Sequence, residues 1–168
     1  MAMFEVDNVG AEFSECKKYR YKLWRIWDTS KPKAMCIGLN PSTANDKKND
    51  STINILIRVL KHLGYGGFYM TNLFAWISSN PQDLLICENP LGDNDVKLKE
   101  VEAICADVIV CWGGFKQAEE RIKQVLPNYP NAKCFGVNEN GTPFHPRALS
   151  YIKGMLNSPQ LIDYLKHK

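Results

Sequence analysis

The chain has 168 residues, 45% of them hydrophobic and 23% charged, and a formal net charge of +3 at pH 7. These values are ordinary for a soluble globular protein, and the mild basicity permits a nucleic-acid partner without requiring one. No apolar stretch approaches the roughly 20 residues that a membrane-spanning helix needs, so we expect no membrane association.

The six cysteines are scattered and include no Cys-x-x-Cys pair. A structural zinc site or a disulfide framework would need paired spacing. We therefore expect reduced, mostly buried cysteines in a cytoplasmic protein, with no metal, no metal cluster and no cofactor. The first ten residues contain two acidic side chains and no apolar core, so we do not expect them to form a signal peptide.

The N-terminal region is predicted to be extended. Residues 4–6 and 11–13 resemble the two strands of a small hairpin, and residues 19–27 resemble an antiparallel edge strand. Basic residues cluster there, which favours a solvated strand face and leaves phosphate contact as the alternative; they are Lys17, Lys18, Arg20, Lys22 and Arg25.

Residues 34–39 form an apolar run that ends at Asn40 and Pro41, as expected of a buried strand. Apolar residues then recur at helical spacing from residue 53 to residue 63, with Asp50 as N-cap and Gly64 as the stop. A second strand is predicted over residues 68–74. Strand, helix and strand in this order imply a right-handed parallel crossover.

The rest of the chain continues the alternation. Helices are predicted from Pro81, from Asp93, over 116–126 and over 159–167, and strands over 107–112 and 133–137. The pattern predicts a single α/β domain over residues 1–168, namely a three-layer α/β/α sandwich. Its central, mainly parallel four-stranded sheet would carry N-terminal antiparallel edge strands. The core would span 19–150, with a hairpin extension at 1–18 and a C-terminal helix within 151–168.

Four loops of such a sheet would meet at the carboxyl edge, where open α/β sheets bind ligands. In chain order these loops, or the strand ends beside them, carry Asn40, Asn72 with Trp76, Gly113, and His145. Each also has a purely structural interpretation, as a turn residue or a hydrogen-bonded loop side chain. Asp46 is the carboxylate near Asn40 that is not needed as a helix cap, and is therefore the candidate for a general base.

Two motifs resemble those of the uracil-DNA glycosylase superfamily. Residues 38–42, Gly-Leu-Asn-Pro-Ser, resemble the Asn-Pro motif of the mismatch-specific branch, and residues 145–149, His-Pro-Arg-Ala-Leu, resemble the second motif. Together with Gly64-Tyr65-Gly66-Gly67 and Asn72-Leu73-Phe74-Ala75, they also resemble the family labelled domain of unknown function 1643. Ser42 stands where the glycosylase motif has glycine.

The glycosylase resemblance implies excision of a base that has been flipped into the cleft. Asn40 would position a water, and His145 would hydrogen-bond the departing base. Asn72 would read the base edge, and Phe74 or Trp76 would supply a stacking ring. The remaining substrate contacts implied are Pro41, Ser42, Gly113, Arg147 and Leu149.

Three functions remain open at this point. The chain is an enzyme that hydrolyses an N-glycosidic bond, a noncatalytic module that binds nucleic acid or a nucleotide in the same cleft, or a structural or partner-binding α/β domain.

Overall fold

The computed structural model describes residues 8–168. Within this range there are seven strands and four α-helices: β1 (Asn8–Phe13), β2 (Arg20–Ile26), β3 (Lys33–Gly38), α1 (Ser51–His62), β4 (Gly67–Asn72), α2 (Asn94–Glu102), β5 (Asp107–Val110), α3 (Glu119–Val125), β6 (Lys133–Cys134), β7 (Ile162–Asp163) and α4 (Tyr164–His167). The expected mixed α/β class is confirmed.

All seven strands belong to one sheet with the order β1-β2-β4-β3-β5-β6-β7. The pairings β4–β3, β3–β5 and β5–β6 are parallel, whereas β1–β2, β2–β4 and β6–β7 are antiparallel. The carboxyl ends of β3, β4 and β5 therefore lie at the same edge of the sheet. The amino-terminal end of β2 lies at that edge as well, because β2 runs against β4.

The two faces of the sheet contribute to separate apolar clusters. Cys36 packs in one cluster with Leu56 and Leu60 of α1. Its neighbours Met35 and Ile37 belong to the other cluster, which includes residues of α2 and α3. Successive side chains of a strand point to opposite faces, so this alternation places helices on both sides of the sheet.

Helix α1 follows the prediction closely. Asp50 is its N-cap and accepts a hydrogen bond from the Ile53 amide at 2.9 Å. Gly64 adopts a positive φ of 89° just beyond the last turn, a conformation that suits glycine. The helix is therefore held at both ends by local signals.

The N-terminal predictions need correction. Residues 4–6 lie outside the described residues, but Val9 and Gly10, placed in a hairpin turn, are part of β1. Strand β1 pairs with β2 along its whole length, and β2 is consequently not an edge strand. Pairing with the seven-residue strand β2 outweighed the turn propensity of Asn8 and Gly10.

The C-terminal prediction of a helix over 159–167 is also wrong. Residues 162–163 instead pair with β6 as a short antiparallel strand, and only Tyr164–His167 is helical. Cys134 pairs with Ile162, and this contact lies 28 residues apart in sequence, beyond the reach of a periodicity window. Strands β5 and β6 end before the predicted residues 112 and 137, and residues 116–118 at the predicted start of α3 form a 3-10 helix instead.

Candidate functional site

A cavity of about 430 Å³ opens at the carboxyl edge of the sheet. Gly38 and Asn72 bring in the ends of β3 and β4, Trp112 follows β5, and Ser51 begins α1. Five residues expected at the site line this cavity: Asn40, Ser42, Asn72, His145 and Arg147. The cavity thus collects side chains from segments more than 100 residues apart.

The other five expected residues do not line it. Pro41 and Leu149 are buried, and Leu149 packs in the cluster with α1. Phe74 packs on the opposite cluster, and the Trp76 ring stacks edge-on against Tyr19 at 5.6 Å. Gly113 lies behind His145 rather than on the cavity wall. No stacking ring comes from Phe74 or Trp76, because both rings are engaged elsewhere.

The Asn40 side chain is a structural tie as well as part of the wall. Its amide nitrogen donates to the carbonyl oxygens of Ser78 (2.9 Å), Pro41 (3.2 Å) and Trp76 (3.3 Å). Asn40 therefore joins the loop after β3 to the loop after β4. With its two N–H groups used in this way, Asn40 can offer a ligand or a water only its carbonyl oxygen.

His145 is held as a neutral imidazole. Its Nδ1 atom accepts the backbone amide of Arg147 at 3.1 Å, which leaves the ring proton on Nε2. Burial lowers the pKa of His145, and the positive charge of Arg147 lowers it further. His145 is therefore a hydrogen-bond donor near neutral pH and not a cation.

Gly113 permits this position of His145. Its φ is +76°, and a Cβ atom at this position would lie 3.2 Å from the Cβ of His145. A larger residue would combine backbone strain with crowding against the imidazole.

Three cavity-lining side chains each have a buried N–H group without a hydrogen-bond partner among the described residues. They are the Nε of Arg20, the Nδ2 of Asn72 and the Nε1 of Trp112. The three residues are between 2% and 4% exposed. A buried polar group without a partner destabilises a fold by about 1–3 kcal/mol, so three such donors on residues of one cavity lower the stability of the fold.

Arg20 and Asp50 bring opposite charges to the cavity wall. Burial lowers the pKa of Arg20 to about 10, and the carboxylate of Asp50 opposes that shift. Asp50 accepts from the Ser42 hydroxyl at 3.1 Å in addition to capping α1. The Arg20 guanidinium remains charged at neutral pH, and its Nη1 donates to the Ala44 carbonyl at 2.6 Å.

Arg20 and Trp112 were not among the residues expected at the site. The solvated face expected for the basic cluster is wrong for Arg20 and Arg25, which are 4% and 3% exposed. Trp112 ends an apolar strand run, so the same rule that selected Asn40 and Asn72 could have selected it. For Arg20 the expected antiparallel direction already places the start of β2 at this edge, and it was the expected solvent exposure of its side chain that concealed it.

Asp46, the candidate general base, is exposed and does not line the cavity. Among residues 8–168, no group of three or more His, Cys, Asp or Glu side chains could hold a metal ion. No helix in the same range combines the length and hydropathy required to cross a membrane.

Residues 20–147 match a family described as protein of unknown function (DUF1643). The match covers well over half of the chain. The chain belongs to the DUF1643 family. Neither a curated protein nor a solved structure matches it.

The residues of this DUF1643 protein that match the family include those that line the cavity. The matched range begins at Arg20 and ends at Arg147, and both of these residues line the cavity, as do residues between them. Strands β1 and β7 and helix α4 lie outside the matched range. The family match therefore includes every residue that lines this cavity.

Proposed function

We propose that this DUF1643 protein binds a nucleobase-containing ligand, either a nucleotide or a base flipped out of a strand, in the cavity at the carboxyl edge of its sheet. The observation that carries the proposal is the set of three buried N–H donors on cavity-lining residues that have no hydrogen-bond partner in the part of the chain that the structure describes. A ligand rich in acceptors would satisfy them, and nucleobases present carbonyl oxygens and ring nitrogens as acceptors.

The size and charge of the cavity support the same ligand class. A volume of about 430 Å³ lies in the range of about 300–1,000 Å³ typical of small-molecule sites. We expect a cavity of this size to take one nucleotide unit and not a stacked duplex, so a base in DNA would have to leave the helix to enter. The Asn-Pro and His-Pro motifs, which resemble those of the uracil-DNA glycosylase superfamily, lie on the cavity wall at Asn40 and His145.

Hydrolysis of an N-glycosidic bond is a second candidate, favoured by the presence of His145 and Asp50 on one cavity wall. The Nε2–H of His145 would stabilise the negative charge that develops on the departing base. The carbonyl oxygen of Asn40 would accept a hydrogen bond from the attacking water, and Asp50 would be the nearest carboxylate to the reaction. Asp50 is already hydrogen-bonded to Ser42 and Ile53, which predicts a slow reaction.

Binding can be tested with the indole N–H resonances of the protein. The chain has four tryptophans, and a Trp112→Phe variant assigns the signal of Trp112. Uridine, adenosine, guanosine, cytidine and a short single-stranded oligonucleotide containing uracil would be titrated in turn. At least one of them should shift the Trp112 indole signal, because its Nε1 proton gains an acceptor.

Two other tryptophans are internal controls. The Trp24 indole donates to the Asn8 side chain at 2.8 Å and the Trp27 indole to the Tyr65 carbonyl at 2.9 Å. Their signals should stay in place. If none of the probes moves the Trp112 signal, or if all the indole signals move together, the proposal is wrong.

Catalysis needs a separate assay. Duplexes carrying uracil, hypoxanthine or a G·T mismatch would be incubated with excess protein and then treated with alkali. Strand scission that disappears in His145→Gln supports hydrolysis. Binding that weakens with salt, together with intact strands, leaves the noncatalytic module.

A further inference from the structure

We infer that the cavity holds a phosphate group of its ligand between Arg20, Arg147 and the first turn of α1, so that the preferred ligand is a nucleotide and not a base or nucleoside. This inference rests on the proposed function and specifies the ligand class of the same cavity. The residues concerned lie on three separate segments of the chain, each of which lines the cavity.

Arg20 is the buried part of the subsite. The residue is 4% exposed, and its Nε has no hydrogen-bond partner among the described residues. Within that range no carboxylate lies within 4.0 Å of its guanidinium, since Arg20 is absent from the ion pairs. A buried charge without close compensation is costly, and an anion in the cavity would provide the compensation.

The first turn of α1 adds donors. The amides of Ser51 and Thr52 have no acceptor inside the helix, and both residues line the cavity. Of the backbone amides in this first turn, the Asp50 side chain accepts only that of Ile53. The positive end of the helix dipole therefore points toward the space that Arg20 borders, as in other phosphate sites at helix N-termini.

Arg147 is the accessible part of the subsite. It is exposed, it lines the cavity, and its backbone amide is fixed on His145. One guanidinium group can bind two phosphate oxygens at once. Arg147 can therefore contact, from the solvent side, an anion that Arg20 and α1 contact from inside the cavity.

The charges around the cavity favour an anion. Among the described residues, the charged side chains on its wall are Arg20, Arg147 and Asp50, hence two positive groups against one negative group while His145 is neutral. Both carboxylate oxygens of Asp50 already accept hydrogen bonds, from Ser42 and Ile53. Arg25 lies close enough to Arg20 to depress its pKa, which increases the positive potential there.

Calorimetric titration would compare uridine with uridine 5′-monophosphate and adenosine with adenosine 5′-monophosphate. The wild-type protein should bind at least one monophosphate about tenfold or more tightly than its nucleoside, the gain expected from a charge-assisted contact. In Arg147→Gln this ratio should fall to about threefold or less. Inorganic phosphate should compete with the monophosphate and not with the nucleoside.

Arg58→Gln is the matched control, since Arg58 is an exposed arginine of α1 that pairs with Asn157 and does not line the cavity. It should keep the wild-type ratio. Arg20→Lys retains the buried charge but loses the planar donor array, and should reduce the ratio while remaining folded by circular dichroism.

The outcomes separate this inference from the proposed function. Equal binding of nucleoside and monophosphate, or a ratio that survives in Arg147→Gln, overturns the phosphate subsite and leaves base binding intact. Binding of inorganic phosphate that depends on Arg147, without binding of any nucleoside or nucleotide, supports the anion site and overturns the nucleobase proposal. The absence of any binding overturns both.

Discussion

Replacing Asn40 with alanine removes the amide that joins the loop after β3 to the loop after β4. The Asn40 nitrogen donates to Ser78 at 2.9 Å and shares its remaining hydrogen between Pro41 at 3.2 Å and Trp76 at 3.3 Å. Asn40 and Ser78 both line the cavity, so the substitution loosens two walls of the same site.

The expected cost follows from this geometry. Two hydrogens serve three acceptors, which corresponds to about two hydrogen bonds of about 1 kcal/mol each. We therefore expect Asn40→Ala to lower the free energy of unfolding by about 2 kcal/mol. In a chain of this length each kcal/mol changes Tm by about 2–4 °C, so Tm should fall by about 4–8 °C.

Urea denaturation followed by circular dichroism measures this loss directly. Asn128→Ala is the control, because Asn128 is exposed and makes one long bond of 3.5 Å, and it should change stability by less than about 0.5 kcal/mol. Asn40→Asp should cost more than Asn40→Ala at neutral pH, since a carboxylate would face three carbonyl oxygens. If Asn40→Ala melts within about 1 °C of wild type, the three bonds contribute no net stability.

Two further predictions concern His145. Gly113→Ala should destabilise the fold by about 1–3 kcal/mol and weaken ligand binding, because it combines a positive φ with a Cβ contact at 3.2 Å. Gly64→Ala is the control: Gly64 has a φ of +89°, and a Cβ there would meet no atom of residues 8–168 within 4 Å, so this variant should show strain without the binding defect. Because the folded-state pKa of His145 is lowered, its neutral form favours folding above about pH 6.5, and this contribution is lost as the pH falls toward the folded pKa. The free energy of unfolding, measured by urea titration, should therefore fall less between pH 7.5 and pH 5 in His145→Gln than in wild type. Equal decreases in the two proteins would contradict the neutral imidazole.

Elements that depend on local signals could be predicted from the sequence, and elements that depend on distant partners could not. Helix α1 was predictable because its cap at Asp50, its apolar spacing and its stop at Gly64 are all local. The pairing of β7 with β6 was not, since a two-residue strand carries no periodicity and depends on a partner distant in sequence. Asn72 and His145 were expected at one edge because strand ends in a parallel sheet converge there.

The amino-acid sequence by itself determined that the chain alternates strands with helices, that the strand of residues 34–39 stops near Asn40-Pro41, and that the family motifs fall at strand ends. These properties depend on residue spacing and on the chemistry of proline and of helix caps. Tertiary structure alone decided that Arg20 is buried at the cavity and that the Trp112 indole there has no hydrogen-bond partner among residues 8–168. It also decided that the Asn40 amide donates to the loops that flank it. Burial and hydrogen-bond partners depend on which distant segments meet, and a one-dimensional pattern does not contain that information.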